Sequence, residues 1–346
     1  IILDDVYINM RGSTSEMILN IPNLKADLAS FPETFDSLSF NQISSKGLDF
    51  SMIEKFPSPN PSEKTEFPSL PISINIIDLK LDDTSILYDK EHVKKRASGF
   101  DVNHIDITEA NLSVKNLNWG SAISGEISRL DLKDESGAEI QSLTTSLTAS
   151  DTMLNLEDLT ISTAASKLNM SLKSDYSSFD NLINNISQQR VNVSIQQGDI
   201  SKKDIVRFID PKQISFINVN KINTVKYTGG ISIDKGNFKM SNTQLTIDDN
   251  LVLEGNLGFV EGNQTSYSIN LDKINTSQSY LTSVFPSFKI PDELKNLGKI
   301  YGSIHAVGDD KQIKVHNINL QSGEETIIIG RGLITQLDNA PDIYMD

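Results

Sequence analysis

The chain has 346 residues, 46 acidic against 31 basic side chains, a net charge of -15 and no cysteine. An acidic surface repels the phosphates of nucleic acid and offers no basic patch for an anionic leaflet. The missing cysteine removes disulfides, thiolate metal sites and cysteine nucleophiles together. Hydrophobic residues make up 38%, below the ~45–50% of a compact globule, and no apolar run reaches the ~18 residues of a membrane-spanning helix.

The first stretch, IILDDVYINM, already has strand cadence, and the chain stops at DIYMD. The expectation is an internal piece of a longer protein, with residues 1–71 as an N-proximal β segment. Residues 56–71 hold five of the 11 prolines and read as a crossing linker that interrupts the sheet. From 72 onward, alternation of apolar and polar residues dominates: 72–81, 101–117, 123–132, 140–150, 154–172, 191–200 and nearly all of 224–272. Turns rich in Asp, Asn and Gly recur every ~8–12 residues, the spacing of an antiparallel meander. Three stretches break the cadence. Residues 176–189 have Phe179, Leu182, Ile183 and Ile186 at helical spacing, with Ser177 or Ser178 as N-cap. Residues 201–210 predict a short helix ended by Pro211. Residues 276–298 predict a helix stopped before Pro286 and a second turn after Pro291. There is no fixed repeat length, so 72–346 reads as one continuous β segment and not as a strict solenoid.

About twenty such strands, with 7% aromatics and a Trp119 not framed by immunoglobulin landmarks, do not partition into sandwiches. The expected fold is mainly β: one long curled antiparallel sheet, apolar inside and polar outside, with a few short helices. An open curl of that kind leaves an apolar lining exposed, which soluble proteins rarely keep unless something binds there.

The chemistry of an active site is not visible. His92, His104, His305 and His316 form no paired ligand spacing, although His305 and His316 flank one hairpin. The pairs Asp82/Asp83, Asp248/Asp249 and Asp309/Asp310 read as turn residues that accept backbone amides. The basic cluster 92–96 reads as a solvated loop. Gly330-Arg331-Gly332 lacks the context of a phosphate loop, and no nucleophile elbow occurs. The expectation is therefore a protein that is not an enzyme, with no cofactor and no metal.

The run from Ile127 to Leu172 resembles the TamB members of the AsmA-like superfamily, particularly those of Bacteroidota. In that family a strand is followed by L-x-(D/E)-x-S-G, here Leu132 to Gly137. Then come I-x-x-L, here Ile140 to Leu143, and a longer leucine-patterned motif, here Leu154 to Leu168. The C-terminal third, with a proline-containing helical stretch followed by YGSIHAVG, is similar too, departing at His305 and Ala306. The resemblance covers roughly 100–340. It implies a β-taco: a long folded-over sheet around an open apolar groove. It also implies a periplasmic location, an inner-membrane tether before this segment, and a BamA-like or TamA-like barrel partner in the outer membrane. The implied tasks are phospholipid transfer between the membranes and support of outer-membrane protein biogenesis.

The groove should be lined by aliphatic residues of one strand parity, whose contact with acyl chains is worth about 0.8 kcal/mol per methylene. The candidates are Leu154, Leu156, Leu168, Met170, Leu172, Ile231, Ile233, Leu245, Ile247, Leu251, Leu253 and Leu257. A register error would turn them to the other face. Two rival readings are a cell-surface β-rich adhesin or carbohydrate-binding protein, and a β-helical polysaccharide enzyme. The low aromatic content weighs against sugar stacking, and no clustered acids support the enzyme.

Overall fold

Alternating sequence becomes strand throughout. The computed structural model describes residues 1–30, 36–57, 65–210, 214–262, 265–287, 298–323, 326–335 and 342–346. It is mainly β, a curled and almost wholly antiparallel sheet architecture with three short α-helices among the described residues. Two units divide the chain: Ile1–Asn184 with Asp204–Asp210, and Asn185–Lys203 with Pro211–Asp346.

The first unit carries β1 (Ile2–Arg11), β2 (Ser15–Leu28), β3 (Ser37–Lys46), β4 (Asp49–Glu54) and β5 (Ser73–Lys90). They are followed by β6 (His104–Trp119), β7 (Ile123–Asp134), β8 (Glu139–Ala149), β9 (Met153–Ser162) and β10 (Lys167–Asp175). Helix α1 (Phe179–Asn184) and most of α2 (Lys202–Phe208) also belong here. Each strand from β5 to β10 pairs antiparallel with the next.

One junction departs from the antiparallel expectation. Strands β3 and β4 lie end to end across Gly47, which has φ +75, and both pair antiparallel with β2. Both pair in parallel with β5. A parallel neighbour cannot be reached by a tight turn, so the chain must cross back over the sheet. The chain makes that return between Glu54, the end of β4, and Ser73, the start of β5. Residues 58–64 lie outside the described residues, but the later part is anchored. Phe67 is buried against the edge of the Phe179 ring at 5.5 Å, and Trp119 Nε1 donates to the Pro68 carbonyl at 2.7 Å. The sheet thus runs across residue 71. Asn184 is the last residue of the first unit's long stretch.

The second unit is a meander: β11 (Arg190–Ser201), β12 (Thr224–Asp234), β13 (Asn237–Ile247), β14 (Leu251–Val260), β15 (Ser266–Ser277), β16 (Lys299–Asp309), β17 (Gln312–Ser322), β18 (Thr326–Thr335) and β19 (Asp342–Met345). All consecutive pairs are antiparallel. Helix α3 (Gln278–Val284) starts where Ser277 Oγ accepts the Tyr280 amide. The three predicted helical stretches are therefore helical in part. Helix α1, begun by Ser178, is followed by a 3₁₀ turn at Ile186–Gln188. Pro211 and the turn expected after Pro291 lie outside the described residues.

Most strands of both units carry a register shift near their middle. Asp83, Asn116, Asp158 and Asn242 sit at such points with φ between +49 and +51. Gly229 faces Asn242 with φ +133, where a Cβ would meet the Asn242 carbonyl at 2.8 Å. A bulge bends and twists its strand, so bulges in neighbouring strands fold the sheet along a line across them. Burial agrees. Thr145, Leu159, Tyr227, Thr243, Leu271, Ala306 and Val315, well inside their strands, are buried. Asp82 and Asp83 sit within β5 at its bulge, a correction to their reading as turn residues. Asp83 pairs there with Lys46 at 3.0 Å.

Candidate functional site

Register decides what lies beside what. In the first unit, Leu3, Leu24, Ser45, Leu81, Leu112, Leu130, Leu143, Ile161 and Leu168 are successive cross-strand partners. At ~4.8 Å between strands, this row is roughly 38 Å long. Of the sequence candidates, Leu168 ends it. Leu156 and Leu172 face each other beside Leu147, Leu154 pairs with Ala149 and Ser174, and Met170 pairs with the buried Leu159. Leu154, Leu156, Leu168, Met170 and Leu172 are all half-buried. Hydroxyls of Ser45, Thr84 and Ser174 are buried with no hydrogen-bond partner. Taking such a group from water unpaired costs about 1–3 kcal/mol, a cost that water or a ligand oxygen in the trough would relieve.

In the second unit the mid-strand bulge divides each strand into two arms. On one arm the row is Val193, Ile231, Met240, Leu257, Ile269, Ala306 and Val315. Beside it runs Val191, Ile233, Phe238, Phe259, Tyr267, Gly308 and Ile313. Phe238, Leu257, Phe259, Tyr267, Ile269, Ala306 and Ile313 surround an open cavity of about 390 Å³. Beyond the bulge, Tyr227, Leu245, Leu253, Ile274, Gly302 and Leu320 form the row of the other arm. There the lining is covered. Ile222, Ile247, Leu251 and Val284 form a buried cluster, and Leu245, Leu253, Tyr280, Leu281 and Phe285 pack around it.

The twelve candidates thus part into groups. Ile231, Ile233 and Leu257 lie half-buried on the uncovered arm. Ile247 and Leu251, at 4% and 1% exposure, are core residues beneath α3, with Leu245 and Leu253 packed against them. Sequence reading missed Leu81, Leu112, Leu130, Leu143 and Ile161, and the cavity's Phe238, Phe259 and Tyr267. Their period-2 spacing was the available signal, but only the bulges show which runs of it share a face.

Sixteen hydrophobic residues are buried among those described. Most aliphatics of the rows are half-buried, while Val191, Ala306 and Val315 in the second unit are buried.

The polar groups do structural work. His104 is bonded at both ring nitrogens, to Asp89 at 2.5 Å and to the Val93 carbonyl at 2.9 Å. His305 faces Asp272 at 3.3 Å and is in register with Asn317, next to His316 in the chain. Asp309 accepts the Lys311 and Gln312 amides. The Asp248 carboxylate accepts from the Asn223 and Thr224 amides at 2.9 and 2.8 Å and from the Tyr280 hydroxyl at 3.1 Å. Burial, with Asp248 beside it, pushes the Tyr280 phenol well above its usual range. Among the described residues no His, Asp or Glu group is arranged to hold a metal ion, and no helix is long and apolar enough to cross a membrane.

No protein-family model, curated protein or solved structure matches the chain.

Proposed function

We propose that the chain is a segment of a TamB-like bridge that carries phospholipid acyl chains along an apolar trough. The single observation that supports this most is the row from Leu3 to Leu168, in which Leu24, Leu81, Leu112, Leu130, Leu143, Ile161 and Leu168 are half-buried in one cross-strand line, with Leu3 exposed at its end and Ser45 buried within it. Each methylene moved from water onto such a surface gains about 0.8 kcal/mol, while a headgroup at the strand ends stays hydrated. In this reading the full-length protein is tethered to the inner membrane, crosses the periplasm and meets a BamA-like barrel through regions beyond this segment. It supports outer-membrane protein biogenesis by supplying lipid, and this segment performs no bond chemistry.

Gentle purification from membranes followed by native mass spectrometry and lipid extraction tests the proposal. Phospholipid should travel with the protein, and Leu156→Asp should reduce its amount without loss of β structure. A protein that stays lipid-free and binds glycans would instead support the adhesin reading.

A further inference from the structure

We infer that His104 is a proton-dependent latch: the loop between β5 and β6 stays closed on helix α2 only while the Asp89–His104 pair carries an extra proton. The latch acts whatever the trough carries. His104 stands at the start of β6 with its side chain 8% exposed. Its Nδ1 meets an Asp89 carboxylate oxygen at 2.5 Å, and its Nε2 meets the Val93 carbonyl oxygen at 2.9 Å. A carbonyl and a carboxylate can only accept, and a neutral imidazole has a single N–H to give. Both contacts are made together only when one more proton is present, on the ring or shared with Asp89. Without it, two lone pairs face each other at one of the two contacts.

Val93 ties the loop to the ring, and the loop in turn holds the end of α2. The Phe100 amide donates to the Arg207 carbonyl at 2.7 Å, and Arg96 donates to the Phe100 and Ile209 carbonyls. The Arg207 and Ile209 carbonyls lie where helical partners run out. The rings of Phe100 and Phe208 are 6.3 Å apart. Gly99 comes so near that a Cβ on it would stand 2.7 Å from the Arg207 carbonyl. At its other end α2 is held by the buried Asp204, which accepts from the Thr163 and Ser166 hydroxyls at 2.5 Å each. No imidazole takes part there, so only the loop side answers to His104. The charge around the ring favours a cation. Asp101 of the loop, Asp106 of β6, Asp134 of β7 and Glu135 line one cavity of about 300 Å³ with His104, against Lys95 and Arg96, and Asp89 of β5 adds to the acidic side. The excess of carboxylates shows at Asp106, which burial, then Glu135 and Asp134, hold above its usual range.

Closure takes up a proton, so it weakens as pH rises, by up to about tenfold in the closed-to-open ratio for each pH unit. Amide hydrogen exchange of the full chain can be followed from about pH 5 to about pH 8 and corrected for the intrinsic pH dependence of exchange. Residues 93–100 and 207–209 should lose at least about tenfold in protection across that range, while β10 keeps its own. Ring-nitrogen NMR should show the second His104 ring proton leaving over the same interval. In Asp89→Asn the side-chain amide donates to Nδ1, so a neutral ring makes both contacts and the loop should stay protected at every pH. A flat wild-type profile, an Asp89→Asn profile as steep as the wild type's, or an Asp89→Asn loop open throughout would each overturn the latch. So would a His104 ring that loses its second proton while protection holds.

Discussion

Truncating one leucine in each kind of environment distinguishes an open trough from a sealed core. Leu251 is 1% exposed within a closed cluster. Leu251→Ala removes three carbons, about 2.4 kcal/mol at 0.8 per methylene, and the void left behind adds to that. The expected loss is about 3–4 kcal/mol, within the range measured for buried leucines. Leu156 lies between Leu147 and Leu172 in its row but is only half-buried. Its removal leaves a shallower trough and no enclosed cavity, so Leu156→Ala should cost about 1–1.5 kcal/mol. Amide hydrogen exchange across β9–β10 and β13–β14 reads the two effects locally, and urea denaturation gives the wider loss. A Leu156→Ala penalty equal to that of Leu251→Ala would show that a second layer covers the row, and the open trough would be wrong.

Two further results are expected. Gly302 has φ +148, and a Cβ on it would run into the Asn319 carbonyl. Gly302→Ala should therefore cost at least about 2 kcal/mol in thermal denaturation, whereas Gly298→Ala, with nothing within 4 Å, should be neutral; equal effects would discount the bulge as a packing constraint. Tyr280, held above the ordinary tyrosine value of 10.0 by burial and then by Asp248, should be the last tyrosine to ionise in an ultraviolet titration. Because the folded value is the raised one, its contribution to stability is complete below the unfolded tyrosine value and is lost as pH rises through the folded one. Asp248→Asn should lower the Tyr280 midpoint; an unmoved midpoint would leave burial as the whole cause.

The amino-acid sequence by itself determined the element types. Period-2 runs such as 154–172 and 224–272 can bury one face only as strands, and Asp- and Gly-rich turns such as Asp234 to Asn237 close hairpins locally. The short helices at Phe179, Lys202 and Gln278 were legible for local reasons too, the first through helical spacing and a capping serine, the other two through the prolines expected to end them. The parallel junction of β3 and β4 with β5 was not legible, because it depends on two strands lying end to end across Gly47 far from their partner in sequence. Nor was the difference between Leu257, on the open arm, and Leu251, six residues earlier under α3. Both have the same parity and the same chemistry. Only the tertiary structure separates them, because a helix that follows β15 in the chain covers one arm of the strand and leaves the other bare.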